Sequence, residues 1–363
     1  MEKISLSKRI KMSCFSSGIK ISQNAEQRLT NNGKIPLYFY EYSTTAGLTV
    51  SFPDETFLNA PLDDWFCDTP VATLDFDYAN ESFYISYDNE IIYVNVLPLP
   101  GYLNVKDSKD RLVSDTIMSH ADRARISPII GCSYTCKFCD YSGKKYHPRP
   151  LDQILDGLSI ALSDNNLPVK HILISGGTPS PKDYYYFEKI IQSVLNTVNL
   201  PVDVMMVPNS SDLIDHLFDW GIFGLSINIE IFNEQIAQFL IPQKNKAWRR
   251  IFIKCIEKAL QKTGGNGRVR SLLIVGLEPV EDTLKGVELL AKLGCDPVLS
   301  PFRPARKTPL ARKNPPQITD LQKVYFEALE ITEKYKVKLG PRCIPCQHNT
   351  LAFPDGTKEY YYS

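Results

Sequence analysis

The sequence predicts an α/β fold: a barrel-like parallel sheet ringed by helices, preceded by a small β-rich appendage. From Arg125 onward, short β-branched runs alternate with helical stretches, which is the signature of βαβ units and a parallel sheet. Before about residue 105 the apolar residues instead alternate or cluster in short aromatic runs, the composition and period of half-buried strands. The 363 residues leave room for roughly two domains, or one large barrel with an addition.

In the expected appendage, residues 1–105, strands are predicted at Leu37–Tyr42, Ser82–Tyr87 and Ile91–Val96. Asp88-Asn89 separates the last two and reads as a hairpin turn, since both residue types tolerate the backbone such turns require. Pro98-Leu99-Pro100-Gly101 breaks the pattern, because proline cannot donate to a ladder, and residues 106–124 are expected to be a linker. The barrel is expected over 125–354. Its strands are predicted at Ile126–Ile130, Ile172–Ser175, Val202–Val207, Phe223–Ile229, Val269–Val275 and Pro297–Phe302, with a seventh near Val337–Leu339. Outer helices are predicted at Leu151–Leu162, Tyr184–Val198, Trp248–Gln261, Glu281–Leu293 and Ile318–Tyr335. Residues 355–363 form a tail in which Glu359–Tyr362 reads equally as a docked strand or a frayed end.

Composition narrows the function. Hydrophobic content of 43% and charged content of 23% are ordinary for a globular chain. Lys+Arg and Asp+Glu are each 41, so no basic field exists of the kind sequence-independent nucleic-acid binding needs, and a small-molecule substrate is favoured. No apolar run reaches the ~18 residues of a membrane span, and the start lacks the apolar core of a signal peptide, so a cytoplasmic location is expected. Nine cysteines is an odd number, and five fall in two tight groups, which suits metal or redox work in a reducing compartment better than a disulfide framework.

The first group, Cys132, Cys136 and Cys139, follows the first predicted barrel strand, at the C-terminal mouth where such barrels place their chemistry. Three thiolates on one short loop serve three irons of a [4Fe-4S] cubane and leave the fourth open to another ligand. A three-thiolate zinc site, or thiols packed as small hydrophobes, are the plainer readings. This C-x3-C-x2-C loop after a barrel strand resembles the radical S-adenosylmethionine (SAM) superfamily, and specifically its biotin synthase and iron-hydrogenase maturase branch. The resemblance runs from about Arg125 to Pro354. It implies a partial or near-complete TIM-like barrel, a [4Fe-4S] cluster whose open iron is chelated by SAM, and a reducing partner such as flavodoxin or ferredoxin.

The same resemblance implies a set of SAM contacts. Phe138 matches the aromatic position against the adenine. Ile174-Ser175-Gly176-Gly177-Thr178-Pro179 resembles the glycine-rich strand end that receives the SAM amino group, where bare α-carbons allow a close approach. Glu230, with Asn228 as second choice, matches the ribose-contacting strand end, since a carboxylate accepts from both hydroxyls. Lys244, in competition with Arg249 and Arg250, matches the basic residue near the SAM carboxylate. Glu278 in Val275-Gly276-Leu277-Glu278 looks like the Gly-x-Gly-Glu segment, with Leu277 in place of the second glycine. Ser300–Leu310 resembles the family's sixth-strand stretch ending in Thr-Pro-Leu, and Arg303 within it offers a planar fork to an anionic substrate. For each charged residue a solvated face or structural salt bridge is the plainer reading.

The second group, Cys343 and Cys346 with nearby His348, has a metal-ligand spacing and is expected at the barrel mouth. Four readings stand side by side: an auxiliary iron-sulfur cluster, a zinc site, a redox or substrate-binding dithiol, and a structural turn. Cys295 is the one candidate for a further ligand, Cys255 reads as core, and Cys14 and Cys67 carry no assigned role. The function implied by the resemblance is reductive cleavage of SAM to a 5′-deoxyadenosyl radical that abstracts hydrogen from a small polar metabolite, in a biosynthetic or cofactor-maturation pathway. The alternative is an iron-sulfur and SAM-binding scaffold, or an electron-transfer protein, without turnover.

Overall fold

The computed structural model describes residues 4–356, and the expectation for Glu359–Tyr362 lies outside them. The appendage is built on a six-stranded sheet of β1 (Lys20–Ile21), β2 (Leu48–Ser51), β3 (Phe57–Ala60), β4 (Ala72–Asp77), β5 (Ser82–Tyr87) and β6 (Glu90–Val96), in the order β1-β4-β5-β6-β2-β3. Strand β4 alternates buried and half-buried residues along its whole length, so one face packs on the core. The β5–β6 hairpin closes through Asp88 and Asn89, with φ of 51° and 60°, the paired positive values that a two-residue type I′ turn requires.

Two features of the appendage differ from expectation. Helices α1 (Leu6–Ser17) and α2 (Gln23–Thr30) precede its main strands, each started by a serine whose hydroxyl accepts from a first-turn N–H: Ser5 from Lys8 and Ser22 from Ala25. The aromatic run Leu37–Tyr42 forms no strand. Its side chains serve separate partners across the chain: Tyr40 donates to Asp140, Glu41 pairs with Arg125, and Tyr42 accepts from Arg125.

The barrel sheet has seven strands in the order β15-β14-β13-β12-β11-β8-β7. Six are parallel: β8 (Arg123–Ile126), β11 (His171–Ile174), β12 (Val202–Met205), β13 (Gly224–Ser226), β14 (Val269–Val275) and β15 (Asp296–Pro301). The seventh, β7 (Ile117–His120), runs antiparallel to β8 at the sheet edge. The expected linker 106–124 therefore carries barrel structure. The first parallel strand also ends at Ile126, because Pro128 interrupts the ladder. Beyond it β9 (Ile129–Ile130) pairs with β10 (His147–Pro148) as a separate short ribbon. Val337–Leu339 forms no strand: Val337 N–H still bonds Thr332 at the helix end, Lys338 N–H bonds the Asp296 side chain, and pairing to β15 begins only with the single bridge of Gly340 to Val298.

Helices α3 (Leu151–Leu162), α4 (Tyr184–Thr197), α5 (Asp212–Asp219), α6 (Glu234–Leu240), α7 (Pro242–Ala247), α8 (Ile253–Thr263), α9 (Val280–Leu293) and α10 (Ile318–Lys334) follow in the connections and after β15. The predicted helix at Trp248–Gln261 is thus split, with a π-helical turn over Trp248–Phe252 leading into α8. The parallel strands are buried on both faces, β15 at every position, as a sheet covered by helices requires.

Six parallel strands do not close a barrel. In the gap between the edge strands β15 and β7 stand two irregular segments. Residues 340–351 follow the free edge of β15 through Gly340 N–H to Pro297 and Leu351 N–H to Leu299. Residues 41–45 lie beside β8 through the Glu41 and Tyr42 contacts to Arg125.

Candidate active site

The cysteine loop hangs from the β9–β10 ribbon, whose pairs Ile130 with His147 and Ile129 with Pro148 pin both its ends. Its first turn is pressed against the end of β11. Thr178 N–H donates to Cys132 Sγ at 3.1 Å, Tyr134 N–H donates to the same sulfur at 3.3 Å, and Ser133 N–H donates to Thr178 O at 3.0 Å. A Cβ on Gly177 would stand 1.7 Å from Gly131 O and 3.0 Å from Cys132 Cα. What approaches the bare α-carbon of Gly177 is therefore the cysteine loop itself, and Thr178 bonds the loop through both its N–H and its carbonyl. Gly176, at φ 146°, lines the cavity below.

On its other side the loop docks on α6 through Lys137 N–H to Leu240 O at 2.9 Å. Cys136 is buried with Ile231, Leu240 and Phe302, while Phe138 and Cys139 are partly buried beside them. Burial pushes the Cys136 thiol up, with Lys244 opposing, and pushes Cys139 up to about 11. A bound cation reverses that balance, because coordination deprotonates a thiol.

Glu230 and Lys244 form a buried ion pair just behind this loop. Burial alone would lower the Lys244 ammonium, but the Glu230 carboxylate and Cys136 outweigh it and hold the cation well above its ordinary range. Glu230 sits in left-handed backbone, φ 63°, a conformation that a non-glycine residue adopts at a cost. Its Oε2 is buried without a hydrogen-bond partner among the described residues, and the residue lines the cavity below. Asn228 lines the same cavity, with its Oδ1 already accepting from Ser226 Oγ and Leu272 N–H.

Two other expected contacts are engaged elsewhere. Glu278 accepts from Phe232 N–H, from Asn233 N–H at 2.7 Å and from Thr283 Oγ1, bracing the chain into α6. It faces away from the cavity that Glu230 lines. Arg303 does line the cavity, yet its fork donates to Asp64 at 3.0 and 3.3 Å and to Asn59 Oδ1 at 3.3 Å, tying β15 to the appendage. Of the competitors of Lys244, Arg250 is exposed.

The cavity, 310 Å³, runs from Phe138 and Cys139 at the mouth down the inside of the sheet to Cys343 and Cys346. Along it lie buried charges that were not anticipated. Arg270 donates to Asp203 at 2.6 Å, and the Arg125 guanidinium lies 3.9 Å over the Tyr42 ring. The signal was present: Asp203 in Val202-Asp203-Val204 and Arg270 in Val269-Arg270-Ser271-Leu272 are charges inside strand runs where an apolar residue is the rule.

Cys343 and Cys346 are placed at the end of the barrel opposite to the expected mouth. They meet His171, the first residue of β11, and Asp122, just before β8. His348 is not with them. It is fully buried, both its ring nitrogens lack partners among the described residues, and it stacks on His120 at 6.0 Å; burial, then His120, hold its imidazole well below the ordinary value. Cys295 is also elsewhere, its thiol directed at Val269 O, and Cys255 is buried in the core as expected.

Residues 126–290 match the family model of the Radical SAM superfamily. Over those residues the chain carries a domain of that superfamily, and its curled sheet is a partial TIM-like barrel. Among similar solved structures is a radical SAM methyltransferase from Sphaerobacter thermophilus, 15% identical, with 77% of this chain and 80% of that one covered at a TM-score of 0.50. The FeFe-hydrogenase maturase HydG from Carboxydothermus hydrogenoformans is 17% identical, with 64% and 57% covered at 0.47. Methylornithine synthase is 15% identical, with 66% and 74% covered at 0.46. The chain spans about half the length of the HydG structures, 49% of one and 57% of the other. No curated protein matches it. Among the described residues, no helix is long and apolar enough to cross a membrane.

Proposed function

We propose that the chain binds a [4Fe-4S] cluster through Cys132, Cys136 and Cys139 and SAM beside it, and acts on a small polar metabolite in a biosynthetic or cofactor-maturation pathway. The observation that carries this reading is that Glu230, whose Oε2 has no hydrogen-bond partner among the described residues, lines one cavity together with Phe138 and Cys139 of the cysteine loop. When bound, the cluster supplies the electron that cleaves SAM to a 5′-deoxyadenosyl radical.

The chain's own residues then have defined tasks. Cys132, Cys136 and Cys139 ligate, and the Thr178 and Tyr134 N–H groups stabilise the negative sulfur of Cys132. Lys244 and Glu230 offer a cation and an acceptor for the amino-acid and ribose parts of SAM, and Phe138 offers a face for its base. Asp203, Arg270, Ser226 and Ser300 give the lower cavity a polar lining, and its volume is at the small end of ligand sites, both of which suit a metabolite. The reading carries with it a small reducing protein, such as flavodoxin or ferredoxin, and a cytoplasmic setting.

The test is anaerobic reconstitution with iron and sulfide, then addition of SAM and a strong reductant. Formation of 5′-deoxyadenosine, lost in Cys136→Ala, is the expected result. Cluster and SAM binding without that product would make the chain a scaffold.

A further inference from the structure

We propose that Asp122, His171, Cys343 and Cys346 hold one tetrahedral divalent cation of the zinc class, at the opposite end of the barrel from the cysteine loop. One ligand atom from each lies within 4.8 Å of all the others. Four of the six separations are close to what a single ion imposes. Cys346 Sγ and Cys343 Sγ are 3.3 and 3.5 Å from His171 Nε2, which is 3.4 Å from Asp122 Oδ1, and Cys343 Sγ is 3.8 Å from that oxygen. A tetrahedral ion with zinc's usual bond lengths separates sulfur from nitrogen or oxygen by about 3.6 Å, and nitrogen from oxygen by about 3.4 Å. The ligands thus stand around a point with room for an ion and little else.

This geometry decides among the chemistries open to a C-x2-C pair. In an iron-sulfur cluster each iron takes its own protein ligand, so the donors are spread by the width of the cluster. Here they converge on one centre, which favours a mononuclear site, and two sulfurs, one imidazole and one carboxylate are a zinc donor set. Four protein donors close the coordination sphere, so the ion's work is structural. It clamps the 340–351 segment, which walls the cavity, to the starts of β8 and β11.

Metal content of the full chain tests this. The Cys132/Cys136/Cys139→Ala variant, which lacks the first cluster site, should carry about one zinc per chain and neither iron nor sulfide. In His171→Gln and Asp122→Asn zinc should fall several-fold. Because such variants also risk misfolding, wild-type chain stripped with a chelator should take up cobalt(II) with the thiolate charge-transfer and d–d bands of a tetrahedral site. Iron with sulfide retained in the triple variant would overturn the proposal. So would wild-type zinc content in His171→Gln, or a stripped, folded wild type that takes up neither zinc nor cobalt.

Discussion

Replacing Lys244 by methionine strands the Glu230 carboxylate in a site where each partner's side chain is only 11% exposed. Breaking a buried pair from one side costs about 3–5 kcal/mol, because the remaining charge has neither water nor partner. Urea unfolding of the apo chain reads this directly. Lys244→Met should lose roughly 3 kcal/mol, while Glu230→Gln/Lys244→Met should recover at least half of the loss. A deficit below about 1 kcal/mol would show the pair to be solvated, and the reasoning from burial would fail.

Further outcomes follow from other contacts. Gly177→Ala should reduce reconstituted iron several-fold, because its methyl group displaces the Gly131–Cys132 turn. Gly264→Ala, at φ 67° with nothing near its Cβ, should cost about 1 kcal/mol of stability and leave iron unchanged. Asp203→Ala should destabilise by about 3 kcal/mol in chemical unfolding by leaving Arg270 buried beside an empty partner, and Asp203→Ala/Arg270→Met should be more stable than the single variant. Arg303→Met and Asp64→Asn should each lower the unfolding midpoint, and the double variant should lose less than the two combined, because both break the same ion pair between the segment after β15 and the appendage. Additive losses would mean that Arg303 and Asp64 act separately.

The parallel strands were legible because they are buried on both faces and so carry short aliphatic runs, as in Leu272–Val275. Where a proline intervened, the reading slipped: Ser127-Pro128 divides what looked like one strand. Leu37–Tyr42 has the composition of a strand, yet Glu41 and Tyr42 are claimed by Arg125, eighty-odd positions away, and side-chain partners at such separation leave no local trace. The cluster loop was legible for the opposite reason, since its three thiols lie within one turn of chain. The partners of Cys343 and Cys346 were not: His348 is near in sequence, whereas His171 and Asp122 arrive only when β8 and β11 come together. That the cysteine loop presses on Gly177 was not legible, because a bare α-carbon does not say what will approach it.

The wall made by residues 41–45 and 340–351 bears on how this cavity can be recut. A wall of paired strands is held by register, and a slip of one residue turns every side chain to the opposite face. The irregular segments have no register to keep. They are joined to each other by Asn349 Nδ2 donating to Thr44 O, and Ser43, Thr44, Asn349 and Thr350 all face the cavity. Size and polarity at those four positions are therefore the cheapest variables for changing what the chamber admits, and a library confined to them samples new occupants while leaving the sheet and the cysteine loop intact.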